Sequence, residues 1–384
     1  MYFNSKSLGL YCHIPFCLSK CAYCDFCSVA GAGRRVKAQY LDALRKEMRI
    51  MGKKAEGYVV DSVFFGGGTP TSIGESELKR LIAELYDCFY VLDDAEFTVE
   101  ANPATVNKRF ANTLKECGVN RVSLGLQSAH ANELKKLGRI HSLEDFEESY
   151  HLLRDAGIEN INVDVMFGIP DQTAESFLNT LKYVVSLRPE HISAYGLQIE
   201  PGTPFFEHRD TLVLPGEDEE YSMYVYASEF LSENGYGHYE ISNFALPGFE
   251  CKHNKKYWNV DSYLGLGCAA HSLFGGERFG RCEDIQQYVS AIKHGALDST
   301  VVSREVMTLE DMESEYVMLR MRLGEGVDKK AYKALFGFDF DSKYGSKLKN
   351  FVDGGFVISD DLSCRFTTDG MYVSNSVLSS ILDL

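Results

Sequence analysis

The chain contains no uninterrupted apolar run near the roughly 18 residues that a membrane-crossing helix needs. Its first residues, MYFNSKSLGLYCHIPF, lack the basic-then-apolar pattern of a secretory leader. Positive charge is in short supply. Against 55 Asp and Glu there are 39 Lys and Arg, a net charge of −16. That balance disfavours nucleic acid or an anionic membrane as partner. A disulfide framework is missing as well. The 11 cysteines are an odd number, and Cys12, Cys88, Cys117, Cys251, Cys268, Cys282 and Cys364 are scattered singly. Such usage fits a reducing, cytoplasmic compartment. No Gly-Lys-Ser/Thr phosphate loop and no G-x-G-x-x-G occurs.

What is present is concentrated in Tyr11–Ser28, YCHIPFCLSKCAYCDFCS. Cys17, Cys21 and Cys24 stand in C-x3-C-x2-C spacing, and Cys27 follows. A short loop can bring three such thiolates to one point. Fe–S clusters are usually held by four cysteines; a cluster held by three keeps one iron open, and an open metal position can take a substrate. Pro15 stiffens the approach, and Phe16, Tyr23 and Phe26 can shield the centre from water. Ordinary buried thiols, a structural zinc site and a closed four-cysteine electron-transfer cluster are the competing readings. Structural zinc usually draws on two knuckles, and no second C-x2-C pair follows. A ferredoxin run has other spacing and a proline after its last cysteine.

From Leu8 to about Glu200 a strand, a turn and an amphipathic helix recur. The strands are expected at Leu8–Ile14, Val59–Phe65, Glu96–Glu100, Arg121–Leu126, Asn160–Met166 and His191–Ile199. The helices are expected at Lys37–Met51, Glu75–Cys88, Lys108–Cys117, Leu143–Asp155 and Ala174–Leu187, where apolar residues recur at three and four. Alternating strands and helices predict an α/β protein with a parallel sheet. Right-handed crossovers would curl six such units into a barrel or most of one. Each strand ends in polar or glycine-rich sequence: the cysteine loop, Gly66-Gly67-Gly68-Thr69-Pro70, Glu100-Ala-Asn102-Pro103, Gln127-Ser128, Asp164 before Phe167-Gly168-Ile169-Pro170, and Gln198-Ile199-Glu200-Pro201. The C-terminal strand ends form the active face of β/α barrels. Capping alone accounts for any one of these ends but poorly for all six.

Past Pro215 the repeat breaks, which sets a first segment at 1–215. A second, 216–302, holds a helix at Asp218–Asn234, a strand at His238–Ala245, and Cys251-Lys-His253-Asn254-Lys-Lys-Tyr257-Trp258 with the only tryptophan. Leu273–Arg281 reads as a glycine-turned hairpin. A third, 303–384, has helices at Glu310–Arg322, Lys329–Phe336 and Lys343–Asp353. Gly354–Ile358 and Arg365–Thr367 pair as a small hairpin, so the end domain reads as winged-helix-like α+β. Its net charge is −4, from 10 basic and 14 acidic residues, which opposes phosphate binding.

The three glycines at Gly66–Gly68 free backbone groups to approach a ligand, and the run suits an amine better than a phosphate. Glu100, Gln127, Arg139 and Asp164 would face the same mouth. Carboxylates there can accept from ribose hydroxyls, and Arg139 can clamp a carboxylate in bidentate fashion. The set suits a small zwitterion attached to a nucleoside. A surface role within the basic stretch Lys135–His141 is the alternative for Arg139.

In order along the chain, YCHIPFCLSKCAYCDF, FFGGGTPT, EANP, RVSLGLQS, LGRIHS, DVMFGIPDQT and LQIEPGTP resemble the coproporphyrinogen-dehydrogenase-type family of the radical SAM superfamily. The resemblance covers almost the whole chain, and HNKKYW and YLGLGCAAHS resemble its heme-chaperone branch. It implies a partial (β/α)6 barrel in which Cys17, Cys21 and Cys24 hold a [4Fe–4S] cluster. The open iron would bind the amino and carboxylate groups of S-adenosylmethionine. Gly67, Gly68 and Thr69 would contact its methionine part; Glu100, Gln127, Arg139, Asp164 and Gln198 would place the rest, with Tyr11 near the adenosine. Tyr23 matches a position that contacts a second S-adenosylmethionine in the oxidising branch. One electron would cleave the sulfonium and yield a 5′-deoxyadenosyl radical, chemistry that belongs to the cofactor.

The oxidising branch carries a further cysteine two positions after the third, where this chain has Phe26, and a long extension before the loop, where 16 residues precede Cys17. Both favour the chaperone branch: a protein that binds heme and passes it to an apo-hemoprotein, fed by an electron donor such as a flavodoxin or ferredoxin. Classical turnover is left open. The rivals are oxygen-independent coproporphyrinogen III dehydrogenase, a heme-free enzyme, and a ferredoxin-like carrier closed by Cys27. His253 is the candidate heme contact, since a neutral imidazole can ligate heme iron, with Tyr257 and Trp258 to stack on the ring. Packing of the barrel's open side is the equal alternative for these residues. Cys251 is a weaker candidate.

Overall fold

The computed structural model describes residues 6–382; the outer ends of the first and third segments, 1–5 and 383–384, lie outside them. A sheet of 12 strands dominates. In chain order they are β1 (Ser7–Ile14), β2 (Val59–Gly67), β3 (Val91–Ala101), β4 (Arg121–Gln127), β5 (Asn160–Phe167), β6 (His191–Gly196), β7 (Gly237–Glu240), β8 (Asn243–Ala245), β9 (Tyr263–Leu266), β10 (His271–Phe274), β11 (Glu277–Arg281) and β12 (Val301–Val306). Their spatial order is β12-β11-β10-β9-β1-β2-β3-β4-β5-β6-β8-β7. From β9 to β6 every pairing is parallel. Both flanks are antiparallel.

The six expected parallel strands are present, with ends shifted by a few residues. Between them run helices Arg34–Lys54, Glu75–Cys88, Lys108–Glu116, Leu143–Asp155 and Ala174–Leu187. Two starts show the local logic. Ser142 with Asp145, and Thr173 with Ser176, form reciprocal caps that satisfy otherwise unpaired N–H groups. Three features differ from the sequence reading. His238–Ala245 is not one strand: β7 and β8 pair as a tight hairpin against β6. β9 joins the parallel run at the outer edge of β1. β12 carries the large sheet to Val306. The expected hairpin turns at Gly275 and Gly276, both at positive φ (65° and 84°), as a two-residue primed turn requires.

Side chains alternate across a strand, and this sorts the barrel wall. On β1, Leu8, Leu10, Cys12 and Ile14 are fully buried toward the helices; Tyr11 and His13 turn inward. On β4, Val122, Leu124 and Leu126 are fully buried, each such apolar side chain contributing about 1.5–3 kcal/mol of burial. Ser123, Gly125 and Gln127 face the interior with Glu100 and Asp164. Register aligns them: Glu100 pairs with Ser123, Gly125 with Asp164, and Asp164 with Ser193.

The end domain has helices Leu309–Arg320, Lys329–Phe336, Phe340–Asp353, Thr368–Tyr372 and Ser374–Leu382. Its small antiparallel sheet, Val327–Asp328, Ser363–Phe366 and Val357–Ser359, has the expected hairpin plus one more strand. Buried Glu313 accepts from Tyr344 at 2.7 Å and also from Tyr332 and Lys343. Tyr221 donates to Asp369 at 2.7 Å and ties this domain to the helix Glu217–Glu233. No helix among the described residues is long and apolar enough to cross a membrane.

Candidate functional site

β1 runs straight into the cysteine loop, and backbone bonds fix the loop over the barrel mouth. Gly68 N–H donates to Ile14 and Thr69 N–H to Phe16, at 2.9 and 2.8 Å. Ala22 N–H donates to Leu137, and the Ala22 carbonyl accepts from Phe205 N–H, each at 3.0 Å. Phe16–Cys17 pairs with Val29–Ala30 and closes the loop. Cys17, Cys21 and Cys24 are half-buried free thiols on one cavity of about 520 Å³. Cys27 does not line it. Its thiol donates to the Glu283 carbonyl at 3.4 Å, so it points away from the other three.

The same cavity is lined by Tyr23, Gly67, Gly68, Thr69, Glu100, Gln127, Arg139, Asp164 and Gln198. Tyr11 stands behind it. Its hydroxyl meets His13 Nδ1 at 2.9 Å, and its ring stacks on Phe64, which does line the cavity. The glycine run is set by close approach. Gly67 has φ 107°, and a Cβ there would collide with the His13 ring; one on Gly68 would lie 2.8 Å from the Phe16 backbone. Glu100 accepts from Gly67 N–H at 3.1 Å.

Arg139 crosses from the loop after β4. It donates to the Gly125 carbonyl at 2.9 Å and to Cys21 Sγ at 3.5 Å. Its Nε is buried without a hydrogen-bond partner. Asp164 accepts from Ser123 at 3.0 Å and Asn162 at 2.7 Å. Burial, then the charge of Asp164, pushes the Glu100 carboxyl up to about 8; burial also raises Asp164. Gln127 holds φ 71° without being glycine, a strained setting of the kind found at binding sites.

These features fit a cluster with a bound zwitterionic nucleoside. Three thiols line one cavity, and a glycine cradle lies beside them. Two buried carboxylates gain from incoming hydroxyl or cationic donors, and a guanidinium N–H is left for an acceptor.

The HNKKYW residues form a helix, Lys252–Trp258, that plugs the inner end of the barrel. Its start is held by Glu96 of β3, which accepts from Lys252 N–H at 2.9 Å and His253 N–H at 3.0 Å. A carboxylate there complements the helix dipole. His253 is 1% exposed. Its Nδ1 meets Ser62 Oγ at 3.0 Å and its Nε2 meets Tyr257 Oη at 2.9 Å. Burial, then Lys256, pushes it down to about 3, so the ring is neutral. Both nitrogens are engaged, and the ring packs on Phe64. Cys251 is buried against Glu96 at 3.3 Å.

Tyr257 and Trp258 instead line a second, larger cleft of about 1310 Å³ between the barrel and the end domain. Asn254, Tyr195, Gly196 and Gln198 line both spaces, so the two communicate. Gly125, Tyr195 and Asn254 escaped the sequence reading. For Gly125 the signal was available: it lies inward between Ser123 and Gln127, and a Cβ there would fall 2.5 Å from the Arg139 guanidinium.

Residues 11–184 match the family model of the Radical SAM superfamily, and residues 307–373 that of the HemN C-terminal domain. Fold, thiol triad and glycine cradle together define a radical SAM protein. The solved coproporphyrinogen III oxidase HemN of Escherichia coli shares the fold, with TM-score 0.88 over 99% of this chain and 91% of that one, at 24% identity. The heme chaperone HemW of Bacillus subtilis is 36% identical over 97% of this chain and 98% of its own length. HemW of Escherichia coli is 33% identical over 98% of each. The chain belongs to the HemW family of heme chaperones.

Proposed function

We propose that this protein binds heme and delivers it to an acceptor apo-hemoprotein, with a [4Fe–4S] cluster and S-adenosylmethionine held at the barrel mouth. The observation that carries this reading is the end-to-end likeness to HemW chaperones, joined to the HNKKYW helix that lines both communicating spaces. Cys17, Cys21 and Cys24 would ligate the cluster. When bound, the cluster and S-adenosylmethionine supply one-electron cleavage of a carbon–sulfur bond. Gly67 and Gly68 let a ligand reach the backbone, with Thr69 beside Cys17. Arg139 serves a carboxylate; Glu100 and Asp164 serve an amine or ribose, with Gln127 and Gln198 at the rim. Tyr23, whose hydroxyl is held protonated by burial, closes the site to water. Tyr11 acts through Phe64.

Heme would lie in the larger cleft, its face on Tyr257 and Trp258. His253 then acts by orienting Tyr257. Arg278 and Arg322 line the same cleft and suit the propionates. The labour divides as barrel 1–215, extension 216–302 and end domain 303–384. A small electron donor of the flavodoxin or ferredoxin kind would serve the cluster, in the cytoplasm. Phe26 in place of a further cysteine disfavours porphyrinogen decarboxylation.

The test is an anaerobic heme titration of the cluster-rebuilt protein, followed in the Soret band. Saturation near one heme per chain, with affinity lowered about tenfold or more by Trp258→Ala, is expected. Absence of saturable binding overturns the chaperone reading. Binding indifferent to Trp258→Ala and Tyr257→Ala overturns the placement in the cleft.

A further inference from the structure

Cys27 was left over by the cluster, and the structure gives it company. His13 on β1, Cys27 at the end of the cysteine loop, and Cys268 just after β9 bring their ligating atoms within 4.8 Å of one another. Cys268 is fully buried, His13 is 5% exposed, and Cys27 is half-buried. None of the three lines the cluster cavity.

The approach is built by unusual backbone. Gly267 has φ 102° and Ala269 φ 58°, so left-handed residues flank Cys268 on both sides. A Cβ on Gly267 would sit 3.0 Å from the His13 carbonyl. An alanine seldom takes that conformation unless its surroundings over-determine it.

An outer shell is also in place. Tyr11 Oη meets His13 Nδ1 at 2.9 Å and fixes the ring plane. Nε2 donates to the Cys27 carbonyl at 2.8 Å, so a bound ion would take the place of that proton and Tyr11 would then accept from Nδ1–H. Tyr40 donates to the His13 carbonyl at 2.7 Å and accepts from Cys268 N–H at 3.3 Å. Histidines that ligate metals almost always have their other nitrogen held this way.

Zinc–sulfur and zinc–imidazole bonds of about 2.3 and 2.0–2.1 Å put tetrahedral ligand atoms roughly 3.5–3.8 Å apart. The three ligand atoms lie within 4.8 Å of one another, at most about 1 Å wider than that spacing. We infer that His13, Cys27 and Cys268 form a second metal site, separate from the cluster, for a zinc-class divalent ion. Two thiolates and one imidazole are a soft donor set that excludes calcium and magnesium. Water fills the fourth position. The ion would tie the end of the cluster loop to the barrel edge at β9.

The experiment uses the full chain with its cluster rebuilt anaerobically, so that Cys17, Cys21 and Cys24 are occupied. The protein is equilibrated with zinc sulfate and passed through a weak chelator; zinc, iron and sulfide are measured per chain. About one retained zinc is expected, falling at least tenfold in Cys27→Ser and Cys268→Ser with iron and sulfide unchanged. No retained zinc on iron-replete protein overturns the site, as does zinc retained equally by both variants. Cys27 is half-buried, so its serine variant keeps the fold even where Cys268→Ser does not. Cobalt(II) added to the Cys17→Ala, Cys21→Ala, Cys24→Ala chain gives an independent readout. Sulfur-to-cobalt charge transfer with tetrahedral d–d bands supports the site, and octahedral cobalt alone overturns it.

Discussion

Two constellations face each other through the barrel, and they are built on opposite terms. At the mouth, polar groups are only partly satisfied. Three thiols line one cavity, the Arg139 Nε has no acceptor, and Glu100 is pushed up to about 8. At the inner end, around Lys252–Trp258, polar groups satisfy one another. Glu96 caps the helix, and His253 spends both nitrogens on Ser62 and Tyr257. Unmade bonds at the mouth await a ligand. Bonds already made at the inner end provide rigidity. Residues of chemically similar promise therefore do different work, and burial alone does not separate them.

The comparison breaks most visibly at the thiols. Replacing Cys17, Cys21 and Cys24 together by Ala should reduce iron and sulfide after reconstitution to background. The free energy of unfolding in urea should stay within about 1 kcal/mol of the parent, because half-buried thiols carry little packing. A large loss of stability would show that the mouth is structural.

Gly125→Ala should come next. The new methyl meets the Arg139 guanidinium, so S-adenosylmethionine affinity should fall about 10- to 100-fold, or ~1.4–2.8 kcal/mol, by anaerobic calorimetry. Cluster content should not change. Unaltered affinity would remove Arg139 from the ligand's path.

His253→Ala sharpens the other side. It leaves Ser62 and Tyr257 without partners and opens a cavity, at about 2–4 kcal/mol in urea unfolding, with iron content unaffected. A stable His253→Ala protein that fails to bind heme, while Tyr257→Phe still binds it, would favour the imidazole as a direct heme contact over a role through Tyr257.

The smallest effect is in pH. The Glu100 carboxyl is raised in the fold from an ordinary 4.5 to about 8. The unfolded chain thus releases its proton first as pH rises. The stabilisation from keeping Glu100 protonated is complete below about 4.5 and is lost as pH rises through about 8. Glu100→Gln should flatten that decline in Tm, and an unchanged slope would assign it to Asp164, which is also raised.

Much of this was readable in the chain. Alternation with period 2 and 3.6 marks β1 to β6 and their helices, with ends off by a few residues and most at β3, which starts at Val91 rather than Glu96, since both patterns are local. The cysteine spacing and the glycine run lie within short loops, so they too survive in one dimension. What escaped was non-local. β9 pairs beside β1 across some 250 residues of chain, and nothing in Tyr263–Leu266 specifies that edge. His238–Ala245 looked like one strand because its turn, Ile241-Ser242, has neither Gly nor Pro. His253 looked free because a histidine's partners, here Ser62 and Tyr257, are not visible in its own motif.

The sequence by itself therefore determined the repeating α/β units, the thiol triad, the glycine cradle and the family, each written in contiguous residues. Only the tertiary structure decided that Cys27 turns from the thiol triad toward His13 and Cys268, that Arg139 passes over Gly125, and that HNKKYW is a capped plug with one face on a cleft. These depend on which surfaces meet after the sheet closes. Pairing across the sheet is settled by the burial and hydrogen bonding of the whole assembly, which no single stretch encodes.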